Sequence, residues 1–359
     1  MEYGFRGVKI FALEGSDLLA NKVCQELNNK LPDSMKPDDG LKLIKVVLDD
    51  FDNENVQVQI EKVRGYFTVV IHTQCPPVNT RLMELFALLD AIYNSNPADL
   101  LLAFPYMPYA RSDRKDQPRI SVMSKVLAET FNNVLGVRRV LLLDPHDSHV
   151  KHYFKPSADE ISSIYMYADF LLYWIEENLG GKKDDVLIAF SDGGAAKRFH
   201  KLPKITGLRH DYIDKIRLDN KGTIKIERDI DCQGKTCFMV DDELCSGGTA
   251  IEDAKALNKN RAAKIIMLAP HAPLSKKRME SRDLIARLND SPIDHFLFTD
   301  TIPSDDKIQG EKKFHILSVA GLLAEAIAQT IANDSVTKLH EPDNVQLYRP
   351  DYSKLILPL

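Results

Sequence analysis

The chain has 359 residues, 44% hydrophobic and 28% charged, which is ordinary for a globular protein and long enough for two domains with separate cores. Its formal net charge of −5 excludes a global attraction to nucleic acid or an anionic membrane, so an anion must be held by a local patch. Five cysteines with no CxxC pair, no apolar leader and no membrane-length run lead to the expectation of a soluble, cytoplasmic protein without nucleic-acid or membrane partners.

In chain order, "VKIFAL" (8–13) reads as a strand and Ser16 to Leu31 as an amphipathic helix. A strand at 43–48, a strand at 66–72, a helix near 78–95 and a strand at 99–104 follow, then a helix around 121–135 and a strand at 138–144. "FKPSADE" (154–160) reads as the crossover to a second half. There a helix over 161–179 aligns Ile161, Ile164, Tyr165, Ala168, Leu171, Leu172 and Ile175 on one face. Strands at 185–190, 236–241, 264–270 and 294–300 complete the half, with a short helix after Gly193. Alternating β and α segments with short apolar strands predict an α/β protein of two domains with mainly parallel sheets, 1–155 and 156–318. A helix at 319–333 is expected to return to the first domain, and 334–359 to form an irregular but packed arm.

Four constellations fall where loops leave the carboxyl ends of strands, the edge at which open α/β sheets bind ligands. In "FMVDDELCSGGTAIEDAKAL" (238–257) a buried strand meets Asp241 and Asp242, then a small-residue turn and a helix. Backbone N–H groups at that helix start can cradle a phosphate. The paired carboxylates can accept from a vicinal diol or hold a divalent metal. A diol beside a phosphate means a ribose 5-phosphate. A strand end with a simple glycine turn is the blander alternative. "PYARSDRKDQPR" (108–119) places Arg111, Arg114, Lys115 and Arg119 in one loop, suited to polyphosphate or merely to solvent.

"LLLDPHDSHVKH" (141–152) sets Asp144 and His146 behind a strand, a pair fit for a metal or a phosphate. His149 and His152 read as surface or packing residues. Zinc is disfavoured there, since no thiol is near and spare carboxylates favour a hard cation. "FSDGGAAKR" (190–198) repeats the strand–Asp–Gly–helix order, which makes Asp192 a second metal or diol candidate, or a plain helix cap. No GxxxxGK[ST] motif occurs, which argues against a P-loop ATPase.

These residues resemble one family in consistent order over roughly 8–330. "VDDELCSGGT" resembles a phosphoribosyl-diphosphate binding loop, and "FPYMPYARSDRKD" with "DPHDSH" resembles ribose-phosphate pyrophosphokinase, or PRPP synthetase. "VRG" (63–65), "RLMELFALLDA" (81–91), "SDGGAAKR" and "TDTIPSDDK" (299–307) fit the same family. The resemblance implies two phosphoribosyltransferase-like domains, a homo-oligomer built from dimers up to a hexamer, and Mg2+ as cofactor. The reaction it implies moves the β,γ-diphosphoryl group of ATP to the 1-hydroxyl of ribose 5-phosphate, leaving AMP.

By position it implies His146 and Asp192 as magnesium residues, with Asp144 a further candidate, and His146 also as an ATP and catalytic residue. It implies Arg111, Asp116 and Arg119 as ATP contacts, and Lys215 and Arg217 as a mobile catalytic pair lying between two strands. Phe51 and Asn53 become adenine contacts. Asn55 stands where a Glu is usual and Ser112 where a Gln is common. Asp192, Asp241, Asp242, Ser246, Gly247, Gly248 and Thr249 become the ribose-phosphate residues, with Cys245 in place of a third acid. That exchange keeps a larger acceptor, ADP-ribose, in view. A phosphoribosyltransferase is a weaker alternative, because one such domain would not explain 108–119 or Lys215 and Arg217, and intact His146, Asp192, Lys215 and Arg217 count against a non-catalytic regulatory homologue.

Overall fold

The computed structural model describes residues 4–355 and 357, apart from 116, 214, 218–223 and 227–229. The chain forms two compact units. The first holds β1 (Val8–Ala12), α1 (Asp17–Lys30), the hairpin β2 (Val47–Asp50) and β3 (Val56–Gln59), β4 (Phe67–Ile71) and α2 (Val78–Asn94). It continues with β5 (Asp99–Phe104), α3 (Met123–Asn133), β6 (Arg139–Leu143) and β7 (Asp159–Ile161). Its main sheet runs β1-β4-β5-β6-β7, parallel throughout.

Both faces of that sheet are covered, which is why its strands read as unbroken apolar runs rather than alternating ones. Phe11, Val70, Leu102, Phe104 and Leu142 meet Leu85, Leu88 and Phe131 of α2 and α3 in one core cluster. Two expectations are corrected here. The segment 43–48 is not one strand: Ile44 only borrows the Ile10 carbonyl (2.8 Å), and β2 starts at Val47 with every residue exposed. The expected crossover contains β7, so Ile161 is a strand residue, paired with Leu143, and not the start of a helix.

The second unit holds α4 (Ile164–Leu179), β8 (Val186–Phe190), α5 (Gly193–Arg198), α6 (Lys201–Thr206), β9 (Arg209–Tyr212), β10 (Lys215–Arg217) and β11 (Ile224–Ile226). It goes on through β12 (Thr236–Val240), α7 (Gly248–Lys259), β13 (Lys264–Ala269), α8 (Ser281–Asn289), β14 (His295–Thr299), α9 (Asp305–Ile308) and β15 (Phe314–Leu317). Its sheet, β15-β14-β13-β12-β8-β9, is also parallel throughout. Helix α4 is buried nearly all round, with Met166, Tyr167, Phe170 and Trp174 as well as the predicted face. Trp174 sets its ring edge-on to Phe238 of β12 at 5.3 Å and donates to the Leu357 carbonyl (2.8 Å).

The chain then returns to the first unit through α10 (Ala320–Ile331), which lies along α1 and is tied to it by Lys30–Glu325 at 2.8 Å. Residues 334–355 are a series of tight turns. Val319–Arg349 belongs to the first unit and Pro350–Leu359 to the second, so the expected single arm is divided. No helix among the described residues is long and apolar enough to cross a membrane.

Candidate functional site

In the second unit the register of β8 against β12, Phe190 opposite Val240, brings two acidic lips to one level. Ser191 N–H bonds the Val240 carbonyl (3.3 Å), so Asp192 and the Asp241–Asp242 pair leave neighbouring strands side by side. Asp192 caps α5: its Oδ1 accepts from Ala195 N at 2.8 Å. Asp242 is buried and paired with Arg198 of α5, Nη1 to Oδ1 2.7 Å. Asp241 Oδ1 accepts from Asp242 N (2.9 Å). Burial, then the Asp242 carboxylate, then Asp192, push the Asp241 carboxyl up to about 7. Negative charge thus exceeds what Arg198 neutralises, and a bound cation or hydroxyl donors would relieve it.

Behind these acids the chain passes Cys245 and Ser246 to Gly247, whose φ of 66° is left-handed. A side chain at Gly247 would also stand 2.4 Å from Leu288 Cδ2, so backbone and space both require glycine. Helix α7 begins at Gly248 with no side chain capping it, leaving the N–H groups of its first turn, with the Ser246 and Thr249 hydroxyls, turned to a ligand's use. Cys245 Sγ lies 3.6 Å from Ser275 Oγ. Lys307 Nζ donates to the Pro273 carbonyl (2.6 Å); burial pushes its ammonium below the usual range, and Cys245 is close enough to act on it.

Lys215 to Arg217 do not lie between strands as expected. They form β10, antiparallel to β11 with Lys215 opposite Ile226. The strand before them, β9, starts only at Arg209, because Ile205 and Thr206 close α6.

In the first unit, β5 and β6 are neighbours, so the arginine loop and the Asp144–His146 loop leave the same edge. Arg111, Arg114, Lys115 and Arg119 are all exposed, and Arg119 has a φ of 65°. The loop is tied down: Tyr109 N–H bonds Gln74 Oε1 (3.3 Å) and Tyr153 OH donates to the Asp113 carbonyl. Ser112 Oγ donates to the Ser121 carbonyl and accepts from Met123 N, both at 3.1 Å, so its hydroxyl serves the start of α3. Asp116 lies outside the described residues. Asp144 has a φ of 40° and accepts from Ser162 Oγ (2.6 Å); His146 is half-buried beside it. His149 and His152 are exposed, and His149 Nδ1 meets Asp147 Oδ1 at 2.6 Å. Phe51, Asn53 and Asn55 sit at the tip of the β2–β3 hairpin. Phe51 N–H bonds the Asn55 carbonyl (2.9 Å) and its ring is 54% exposed.

No group of three His, Cys, Asp or Glu among the described residues could cage a metal. Magnesium rarely uses such a cage; it takes one or two carboxylates and fills its octahedron with water and substrate phosphates. The surplus charge around Asp192, Asp241 and Asp242 fits that use.

Three residues at these loops were given no role from the sequence: Arg198, Gln74 and Lys307. Basic residues inside quoted motifs were the available signal for Arg198 and Lys307; nothing in the sequence marked Gln74.

Residues 8–134 match the N-terminal domain of ribose phosphate pyrophosphokinase, and residues 192–341 the phosphoribosyl synthetase-associated domain. A ribose-phosphate pyrophosphokinase 1 of Listeria innocua is 30% identical over 95% of this chain and 99% of its own length. A ribose-phosphate pyrophosphokinase of Caldanaerobacter subterraneus is 32% identical over 92% and 97%. The crystal structure of phosphoribosylpyrophosphate synthetase from Mycobacterium smegmatis shares the fold, with a TM-score of 0.77, 24% identity, and 91% and 99% of the two chains covered. The chain belongs to the ribose-phosphate pyrophosphokinase family.

Proposed function

We propose that this protein transfers the β,γ-diphosphoryl group of ATP to the 1-hydroxyl of ribose 5-phosphate, giving phosphoribosyl diphosphate and AMP. The observation that carries this reading is the uncapped start of α7, reached through Gly247, beside three carboxylates, one of them paired with Arg198. The α7 N–H groups, Ser246, Gly248 and Thr249 bind the 5-phosphate, while Asp241 and Asp242 accept from the ribose hydroxyls. Arg198 holds the Asp242 carboxylate in place through its ion pair. In the first unit Arg111 and Arg119 bind the triphosphate, Ser112 and Gln74 fix their loop, and Phe51 with Asn53 and Asn55 receives the adenine.

Displacement at the β-phosphorus builds charge on phosphoryl oxygens; Lys215 and Arg217 are placed in the role of stabilising it. Candidate Mg2+ ligands are His146 with Asp144 in one unit and Asp192 in the other. An ion held at either place would neutralise phosphate charge. Homo-oligomerisation through dimers and a cytoplasmic location accompany this reading.

Incubation with magnesium ATP and ribose 5-phosphate should yield AMP in step with loss of the sugar phosphate; ADP or free pyrophosphate as first product would sink the reading. Ribose 5-phosphate should outcompete ADP-ribose both in the unaltered protein and in Cys245→Asp. A carboxylate there would face Lys307, which limits its repulsion of the phosphate.

A further inference from the structure

At the amino end of the first unit's sheet lies a cavity of about 470 Å3, between the segment leading into β1, the start of β4 and residues 35–45. Its volume is that of a small-molecule site. The arginine loop and the Asp144–His146 loop leave the carboxyl ends of the same parallel strands, so this cavity is at the opposite end from them.

Its charge is unusual for a chain with a net charge of −5: Arg6, Lys9, Lys36, Lys42 and Lys45 line it against only Asp39 and Glu61. Three of the five cations are already engaged. Lys9 Nζ meets Glu61 at 3.2 Å and lies over the Tyr66 ring at 4.9 Å. Lys42 pairs with Asp39 at 2.5 Å, and Lys36 with Asp33 at 2.9 Å. Arg6 and Lys45 are exposed and make no ion pair among the described residues. They come from two different walls, the approach to β1 and the segment beside it. The remaining wall is apolar, from Met35, Leu43 and Ile44. Gly7, at a φ of 149°, lets the chain pass the Met35 carbonyl, which a side chain there would approach to 3.1 Å.

Two uncommitted cations over an apolar pocket suit one kind of ligand. We propose that this cavity is a second binding site, for a small organic anion with a phosphate or carboxylate head and an apolar or aromatic body. Arg6 takes the head in a two-pronged grip, Lys45 adds a point charge, and the body lies against Met35 and Leu43. The site is separate from that of either substrate and does not depend on which reaction the protein performs.

Calorimetric titration of the full chain with phenyl phosphate, and separately with benzoate, tests this, with ribose 5-phosphate present in excess to fill the α7 cradle. At least one probe should bind at a single site, about tenfold or more weakly in Arg6→Glu and in Lys45→Glu, because each reversal replaces a charged hydrogen bond by repulsion. Both positions are exposed, so the variants should fold, and their kcat/KM without probe should match the unaltered protein. Preference for phenyl phosphate or for benzoate supports the site and names its head group. Binding of neither probe, binding indifferent to both reversals, or binding abolished by ribose 5-phosphate would overturn it.

Discussion

Gly247 and Gly248 look interchangeable in the sequence, yet only the first is strained by a side chain. Gly247→Ala must accept a φ of 66° and a 2.4 Å contact with Leu288. Denaturant unfolding should show a loss of about 2 kcal/mol or more, with a raised KM for ribose 5-phosphate. At Gly248 the nearest atoms to an added Cβ are Ser246 Oγ at 3.6 Å and Arg287 Nη2 at 3.9 Å. Gly248→Ala should therefore keep its stability and alter acceptor KM alone; equal instability in both would refute the cradle geometry. The acidic lips and the small turn were legible because each lies within a few residues of an apolar strand. Arg198 opposite Asp242 was not, because that pair depends on β8 lying next to β12, which no local pattern encodes.

At the scale of elements, the main parallel strands were readable to within a residue or two, since both faces are buried and the runs are apolar. The hairpins were not. In β2 all four residues are exposed and the segment has no alternation, so apolar pattern placed a strand several residues too early. Both hairpins carry proposed substrate residues, and they should fail differently. Phe51→Ala removes an exposed ring, so the fold should persist while ATP binding weakens by about 1–3 kcal/mol, the worth of one base stack. Unchanged ATP affinity in that variant would make Phe51 an incidental surface residue. Lys215→Ala or Arg217→Ala on β10 should lower kcat and kcat/KM together, by about 10²–10³, with KM nearly constant. A change confined to KM would assign these two to binding alone.

For the whole molecule, the burial of two histidines should make acid destabilising. His72 in the first unit is 1% exposed, has no partner for Nδ1 among the described residues, and sits edge-on to Phe104 at 6.2 Å. Burial, then the nearby Arg81, push it down to about 4; burial and His295 do the same to His315 in the second unit. An unfolded histidine takes up its proton near pH 6.5 and the folded one only near 4, so the unfolded chain binds more protons between those values. The His72 contribution is then flat above about pH 6.5, falls as pH drops towards 4, and loses up to about 3 kcal/mol, while the raised Asp241 carboxyl works in the opposite direction. Chemical denaturation across that range should show His72→Leu gaining stability relative to the unaltered protein as pH falls from 6.5 towards 4; a constant difference would place the acid sensitivity elsewhere.

The return of α10 to α1 has a consequence for how the protein comes off the ribosome. The strands and helices up to Ser162 are synthesised first, but the partner of α1 is not made until the second unit has been translated. Meanwhile α1 lacks the cover that α10 gives. Neither unit is one uninterrupted stretch, so the nascent first half must wait with an uncovered helix while its sibling is built. The gene cannot be cut at Ser162 into two self-sufficient parts.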